Sequence, residues 1–510
     1  MNFRFFAVLC CLAIPVVSLL AQPYTGPLSI TMGPEETVFD YTTDRCAVLD
    51  LPDVYAHPIR TAQGIMLVSG NAPNNYFMFG RDFSTLRRSC DAVLVSGDKW
   101  PVDSFDHQEW ITSVYSEDGT TIHALVHNEY HDPYSRKCKP GVTDPSNPCW
   151  YNFVSYAVST DGGRTFTQPQ SPNHLVAMLP FKWNADAAPR GAPPPHGYFE
   201  PSNIVKHQGF YYCMMFAITS NTNQGQRGTI IMRTDDITNP GSWKFWNGTD
   251  FSIPFVNPYA RTIVDSSQFI PAFVAPRTIR DLRGSLTWNT YLNQFVLIGA
   301  SVFPVGGTET CGFFLSRSSD LLTWSEPQLI RSAILGWPPC NRQTPDQAER
   351  NISQEAYPSL IDHDAADISF TMVDSTAYLY YMQNMDNHRP GGWGLRRNLV
   401  RFPITFSKSD TASTHVDQGA SATQALLLSI HPNPSTDVAR ATFSLLADSY
   451  VHIEVLSALG TVISTVLHDQ FSAGTHTVAL QLSALPAGAY RCRLTAGEAG
   501  MVTVPLIVVR

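Results

Sequence analysis

The sequence predicts an all-β chain: a five-bladed β-propeller followed by a small C-terminal β-sandwich. Three observations lead there. Between residues 22 and 406, strand-sized runs of aromatic and β-branched residues are broken by Gly, Asn, Asp and Pro, with no long helical pattern. Those runs recur five times as one unit, a polar lead-in, a strand after a Gly or Asn turn, then a strand ending in a polar turn with an aromatic residue or Leu behind it. A separate set of alternating strands with Pro/Gly punctuation occupies residues 427–510.

In chain order, Met1-Asn2-Phe3-Arg4 is followed by an apolar run over residues 5–20 and then Ala21, the pattern of a secretory signal peptide. Pro15 interrupts the run, which is short of the roughly 20 apolar residues a spanning helix needs, so residues 1–21 are expected to be removed and no stable membrane span is expected. The first unit holds Gly64–Val68 and then Tyr76–Leu86, with a polar turn at Asp82-Phe83-Ser84. The second holds Ile122–His127 and Phe153–Val158, the third Phe210–Tyr212 and Thr229–Asp235, the fourth Phe295–Ile298 and Phe313–Leu315, and the fifth Ala377–Tyr381 and Leu399–Phe402. Ser159-Thr160-Asp161-Gly162-Gly163-Arg164-Thr165-Phe166 fits the Asp-box pattern, a hairpin whose Ser and Asp side chains satisfy turn amides, and Ser318–Trp324 is a copy without the Gly. Asp161 and Asp320 are therefore expected to hold turns. Residues 407–426 are small and polar, a linker by composition.

Composition excludes several classes. A net charge of −9 with 15% charged residues leaves no basic stripe for nucleic acid. Of ten cysteines, Cys10 and Cys11 lie in the leader; the remaining eight suit an oxidising compartment, and no paired CxxC spacing suggests zinc. Cys138 and Cys149 flank a short loop whose closure is worth somewhat under about 3 kcal/mol in the chain-entropy model. Cys46 with Cys90 and Cys311 with Cys340 are further candidate pairs, although spacing alone does not decide the connectivity, and Cys213, inside the apolar run Phe210–Met215, is expected to be a buried free thiol.

His431-Pro432-Asn433-Pro434-Ser435, the strand Val451–Leu456 and the closing Leu485-Pro486-Ala487-Gly488-Ala489-Tyr490 follow one another in an order that resembles a type IX secretion sorting domain, over residues 427–510. The resemblance implies handling by the type IX secretion machinery and delivery, via the periplasm, to the outer surface or beyond.

Chemistry is sought in the lead-in segments, because the innermost strand of each propeller blade lines a central funnel. The polar clusters there are Asp50-Leu51-Pro52-Asp53, Asp106-His107-Gln108-Glu109-Trp110, Phe199-Glu200-Pro201-Ser202-Asn203, Arg277 with Asp281, and Gln354-Glu355 with Asp362. The phrase Glu200-Pro201-Ser202-Asn203-Ile204-Val205-Lys206-His207-Gln208-Gly209-Phe210 resembles five-bladed glycoside hydrolases of the arabinanase and β-xylosidase type. That resemblance implies Glu200 as the general acid, Asp53 or Asp50 as the base and Asp106 as an orienting carboxylate. Such chemistry needs two carboxyl groups in different environments, one holding a proton and the other ionised.

A second cluster, His127-Asn128-Glu129-Tyr130-His131, places His127, Glu129 and His131 on one side of a strand by alternation. It suits a glycan-contacting rim, together with Glu109, Trp110, Arg277 and Glu355, or a structural divalent cation; no other cofactor is implied. The expectation is a secreted or surface-attached, carbohydrate-active propeller that hydrolyses a glycosidic bond. The alternatives are a sialidase-like enzyme, which needs Arg60, Arg277 and Arg283 to converge on a carboxylate, and a non-catalytic propeller that binds a glycan or protein at the cell surface.

Overall fold

The computed structural model describes residues 22–510 except 98–100, 133–137, 139–148, 187–194, 221–225, 281, 338, 341–352, 387–393, 409–426, 446–447, 458–461 and 497–499. The expected leader at 1–21 and nearly all of the expected linker at 407–426 lie outside the described residues. The chain divides into two compact units, residues 1–411 and 412–510.

In the first unit the strands sort into five antiparallel meanders. The first runs His57–Thr61, Gly64–Val68, Met78–Gly80, Arg87–Arg88, and the second Gln108–Tyr115, Ile122–His131, Trp150–Ser159, Leu175–Ala177. In the third, His196–Phe199 and Val205–His207 both pair with Phe210–Ile218, followed by Arg227–Thr234, Lys244–Trp246 and Phe251–Pro254. The fourth is Arg283–Asn289, Gln294–Val305, Thr308–Ser318, Gln328–Ser332. The fifth, Gln354–Ile361, Thr376–Asn384 and Arg397–Lys408, takes its outermost strand from the start of the chain, where Leu28–Met32 pairs antiparallel with Arg397–Lys408. A two-residue parallel pairing of Tyr151-Asn152 with His196-Gly197 joins the second and third meanders into one ten-stranded sheet.

The sheets close into a ring, each packing on the next through an apolar layer. Ile59, Phe77, Ile111 and Val126 fill the space between sheets one and two; Tyr151, Phe153, Tyr198 and Trp243 lie between two and three. Tyr212, Leu286 and Phe314 lie between three and four, and Val296, Phe313, Leu379 and Phe402 between four and five. Leu67, Met78, Tyr380 and Leu399 pack sheet five against sheet one, closing the circle. Edges that would otherwise attract other strands are thereby kept short or covered. The richness in Phe, Tyr and Trp is largely this wedge packing between sheets, each buried ring removing a large apolar area from water.

The turn at Ser159–Phe166 has the bonds its sequence asks for. Asp161 Oδ1 accepts the N–H groups of Arg164 at 2.9 Å and Thr165 at 3.0 Å, and Ser159 Oγ accepts Gly163 N–H at 2.9 Å. Ser318 and Asp320 repeat this at Leu321–Thr323, and Ser116 and Asp118 repeat it at Gly119–Thr121. Disulfides join Cys46–Cys90, Cys138–Cys149 and Cys311–Cys340, while Cys213 and Cys492 are free and buried.

The second unit is a sandwich of two sheets, Leu427–His431, Val438–Leu445, Gly474–Gln481 against Val462–Phe471, Ser449–Ser457, Gly488–Ala496, Gly500–Val508. Phe443, Val451, Ile453, Leu480, Leu494 and Leu506 form its core. Asn433 ties the first loop to the last strand, donating to Pro505 O at 2.8 Å and accepting Ile507 N–H at 2.7 Å. Arg510 is clamped over Leu482 O and Leu485 O at 3.0 and 2.6 Å. Among the described residues no helix is long and apolar enough to cross a membrane.

Candidate active site

Side chains from all five sheets converge at the end where the inner strands begin. Sheet one contributes Asp53 and Tyr55 from the loop ahead of His57–Thr61. Asp53 is in an ion pair with Arg397 of sheet five, whose Nε also donates to Gly394 O at 2.9 Å. The other lead-in acid, Asp50, is fully buried and serves the loop instead, pairing with Arg88 at 3.2 Å and accepting Cys46 N–H at 2.9 Å. Of the two alternatives for the first unit, Asp53 is the one in this group.

Glu200 ends the strand His196–Phe199 with φ of 49°, a left-handed conformation rare for a residue with a side chain. Its Oε2 accepts from the Tyr55 hydroxyl at 3.2 Å and lies 3.5 Å from Arg283 Nη1 of sheet four. The Arg283 guanidinium rests over the Phe216 ring at 4.0 Å and faces Trp337 at 5.0 Å. Tyr357 of sheet five also has a left-handed backbone, with φ of 56°, and its ring meets Tyr55 edge-on at 5.5 Å. Two such outliers in one cluster mark a site where packing over-determines the backbone.

Glu129 completes the group from sheet two. Its side chain is 15% exposed; Oε2 lies 3.2 Å from His131 Nε2 and Oε1 lies 3.9 Å from His127 Nδ1. Burial pushes the Glu129 carboxyl up to about 7, opposed by His131 and reinforced by the negative charge of Asp53 and Glu200. The phenol of Tyr357 is driven well above its ordinary value, by burial first and then by Asp53 and Glu200. His127 is buried, accepts from Asn152 Nδ2 at 2.8 Å and is lowered to about 3 by burial, so it is neutral beside Glu129. His131 stacks on Trp150 with ring centroids 5.1 Å apart.

The remaining expected site residues lie elsewhere. The Asp106 carboxylate sits directly over Gly97, accepting its N–H at 2.6 Å, beside His174; it closes a loop. Glu109 is buried and accepts from Gln168 at 2.8 Å. Trp110 packs in the layer between sheets one and two, its indole donating to Asn71 at 2.7 Å. Glu355 is buried in an ion pair with Arg331, and Arg277 is exposed on the turn ahead of sheet four. The three arginines of a sialidase do not converge: Arg60 donates to Ala365 O at 2.6 Å, and only Arg283 reaches the carboxylate group. Among the described residues no set of three or more His, Cys, Asp or Glu side chains is arranged to hold a metal ion. Asp281 lies outside the described residues.

Tyr55, Tyr357 and Arg397 belong to the site without having been singled out in the sequence. A strand irregularity between Ala356 and Ser359 falls at Tyr357, just past the polar lead-in pair Gln354-Glu355.

The fold and site together define an all-β propeller with a ring-centred carboxylate cluster, joined to a second β unit. That second unit is a secretion system C-terminal sorting domain, matched over residues 429–509. No curated protein matches the chain. Among solved structures it is similar to a GH32 β-fructofuranosidase from Bombyx mori, at 10% identity over 90% of this chain and 88% of the other, with a TM-score of 0.37. It is likewise similar to an endo-arabinase from Bacteroides thetaiotaomicron, at 12% identity over 74% of this chain and 100% of the other, TM-score 0.37. A sucrose-6-phosphate hydrolase from Lactobacillus gasseri is similar at 10% identity over 92% and 93%, TM-score 0.38. At that identity and TM-score, nothing about activity is transferred from them.

Proposed function

We propose that this chain is an exported glycoside hydrolase in which Glu129 is the proton donor, Asp53 the partner carboxylate, and Glu200 a substrate-orienting group. The observation that carries the reading is the contrast between neighbouring carboxyls. Glu129 is held near 7 by burial, whereas Asp53 is in an ion pair with Arg397. A carboxylic acid that keeps its proton at neutral pH can protonate a glycosidic oxygen as the bond breaks, and an adjacent carboxylate can activate water or attack the sugar carbon. His131, stacked on Trp150 and within reach of Oε2, fixes the Glu129 rotamer. Glu200, positioned by the buried Tyr55 and by Arg283, presents a carboxylate that suits a sugar hydroxyl, and the half-buried Tyr357 supplies an aromatic face of the kind that packs on sugar rings. Glu200 thus has a place in the group, with the acid role moved to Glu129.

The sorting domain supports delivery outside the cell, and with a cleaved leader at residues 1–21 the route runs through the periplasm before the type IX machinery acts on residues 427–510. The test is a pH–rate profile on a polysaccharide that the protein degrades. The rate should fall as pH rises through about 7, where Glu129 loses its proton. A rate still rising well above 7 contradicts the assignment. Binding of glycans without release of any sugar favours a non-catalytic surface propeller.

A further inference from the structure

The inner strands Gln108–Tyr115 and Arg283–Asn289 both start beside the carboxylates and finish at the opposite end of the ring. A cavity of about 270 Å³ opens there. It is bounded by Tyr115 and Ser116 after sheet two's inner strand, Lys206 and His207 of sheet three, Trp288 of sheet four, and the segment from Asp367 to Met372. By contrast, the void beside Glu200 and Arg283 among the described residues is about 10 Å³.

The charged groups around this cavity are already engaged, Lys206 in an ion pair and Asp367 in hydrogen bonds to its own loop. Lys206 Nζ is 2.5 Å from Glu117 Oε1, which also accepts from the Tyr211 hydroxyl at 2.8 Å. Asp367 accepts Thr371 N–H at 2.7 Å and Thr371 Oγ1 at 3.0 Å. The polar groups left over are uncharged. Neither the indole N–H of Trp288 nor the ring nitrogens of His207 bond to a described residue, and the two rings lie stacked, 6.1 Å apart with 24° between their planes. Burial lowers the His207 imidazole from its ordinary value, so it offers one donor and one acceptor near neutral pH. Phe295 buttresses Trp288 edge-on at 4.8 Å, holding the indole in place. An aromatic plate with neutral donors and acceptors at its margin fits a ligand with an apolar face and a ring of hydroxyls. The volume, just below the roughly 300 Å³ at which drug-sized sites begin, limits that ligand to about one ring.

We propose that this cavity is a second, non-catalytic binding site for a single neutral sugar ring, with Trp288 as its stacking platform and His207 as its hydrogen-bonding partner. It rests on the geometry of this end of the ring and is independent of the assignment of Glu129. Such a site would hold one part of a polymer while the carboxylate end works on another.

The test uses the secreted full chain and neutral monosaccharides, glucose, galactose, mannose, xylose and arabinose, followed by saturation-transfer NMR and calorimetric titration. Met372, 38% exposed at the cavity wall, is replaced in Met372→Trp to fill the space, and His207→Ala removes the polar partner without adding bulk. The proposal expects at least one sugar to bind with millimolar affinity, and both variants to weaken it about tenfold or more, the loss of a stacked face or a hydrogen bond. It expects any polysaccharide turnover by the carboxylate site to continue on small, soluble substrates. No binding by any of the sugars, or binding that both folded variants retain, overturns it. Loss of turnover alone, with binding kept, bears on the carboxylate site and overturns the independence of the two.

Discussion

Replacing Glu129 by Gln should make the propeller more stable at alkaline pH while removing activity. The carboxyl is held at about 7 against an ordinary 4.5, chiefly because its charged form is desolvated. Below 4.5 the folded and unfolded chains both carry the proton, and the group contributes no pH dependence. Between 4.5 and about 7 the unfolded chain releases the proton and the folded chain keeps it, so stability falls as pH rises. Above about 7 the folded chain must bury the charge, at a cost of about 3 kcal/mol from 1.36 kcal/mol for each pH unit between the two values. Glutamine has nearly the same shape and cannot ionise. Glu129→Gln should therefore unfold close to the wild type at low pH and higher above pH 7, by roughly 4 °C for a unit ending at Thr411 with about 2.1 cal/mol/K of unfolding entropy per residue. Paired melting curves by circular dichroism across this range are sufficient. A difference that does not grow with pH, or a variant less stable than the wild type above 7, refutes the assignment of a buried, proton-holding carboxyl.

Other consequences follow from the same structure. Breaking the Asp53–Arg397 pair from one side in Arg397→Ala should lower activity by more than tenfold and destabilise the fold by about 3–5 kcal/mol, since it leaves a carboxylate without its partner in a mostly buried group; activity unchanged in the folded variant would separate Asp53 from the chemistry. Asp161→Ala should cost about 1–2 kcal/mol through the lost turn bonds and leave turnover intact, as measured by denaturant unfolding and assay of one preparation. Removing the Cys46–Cys90 bridge by a double Ser substitution should cost about 4 kcal/mol in the chain-entropy model for a sequence separation of 44, read as a lower unfolding midpoint. Deleting residues 427–510 should leave the protein inside the cell while a periplasmically expressed propeller remains folded, read by fractionation and melting.

The all-β repeat was legible because aromatic strands and polar turns recur, and the sheets bury the residues of those strands, among them Phe77, Phe153, Tyr212, Phe313 and Tyr380. That the cysteines outside the leader suit disulfides was legible from composition, whereas which pairs with which is fixed by the fold; Cys213 was legible from its apolar run. The site was legible in part. Glu200 stood out through its phrase, and alternation put His127, Glu129 and His131 on one face. What no sequence pattern shows is that Glu129 is the proton-holding member, because its environment is summed from four directions: His131, Asp53, Glu200 and the surrounding burial. Arg397 lies 344 positions from the aspartate it pairs with. Asp106 occupies a lead-in position like that of Asp53, yet the absence of a side chain at Gly97 lets its carboxylate fold back onto the loop. Tyr357 escaped notice because the lead-in segments were read for polar residues, and its place in the site depends on the local irregularity between Ala356 and Ser359.

The most direct test of the account is sugar release from a panel of plant, animal and microbial polysaccharides by the wild type, Glu129→Gln and Asp53→Asn. The account predicts release by the wild type and a loss of about 100-fold or more in each variant, the scale on which a general acid or its partner carboxylate contributes, with melting curves showing both variants folded. Full activity in Glu129→Gln, or glycan binding by the wild type with no release from any member of the panel, would contradict it.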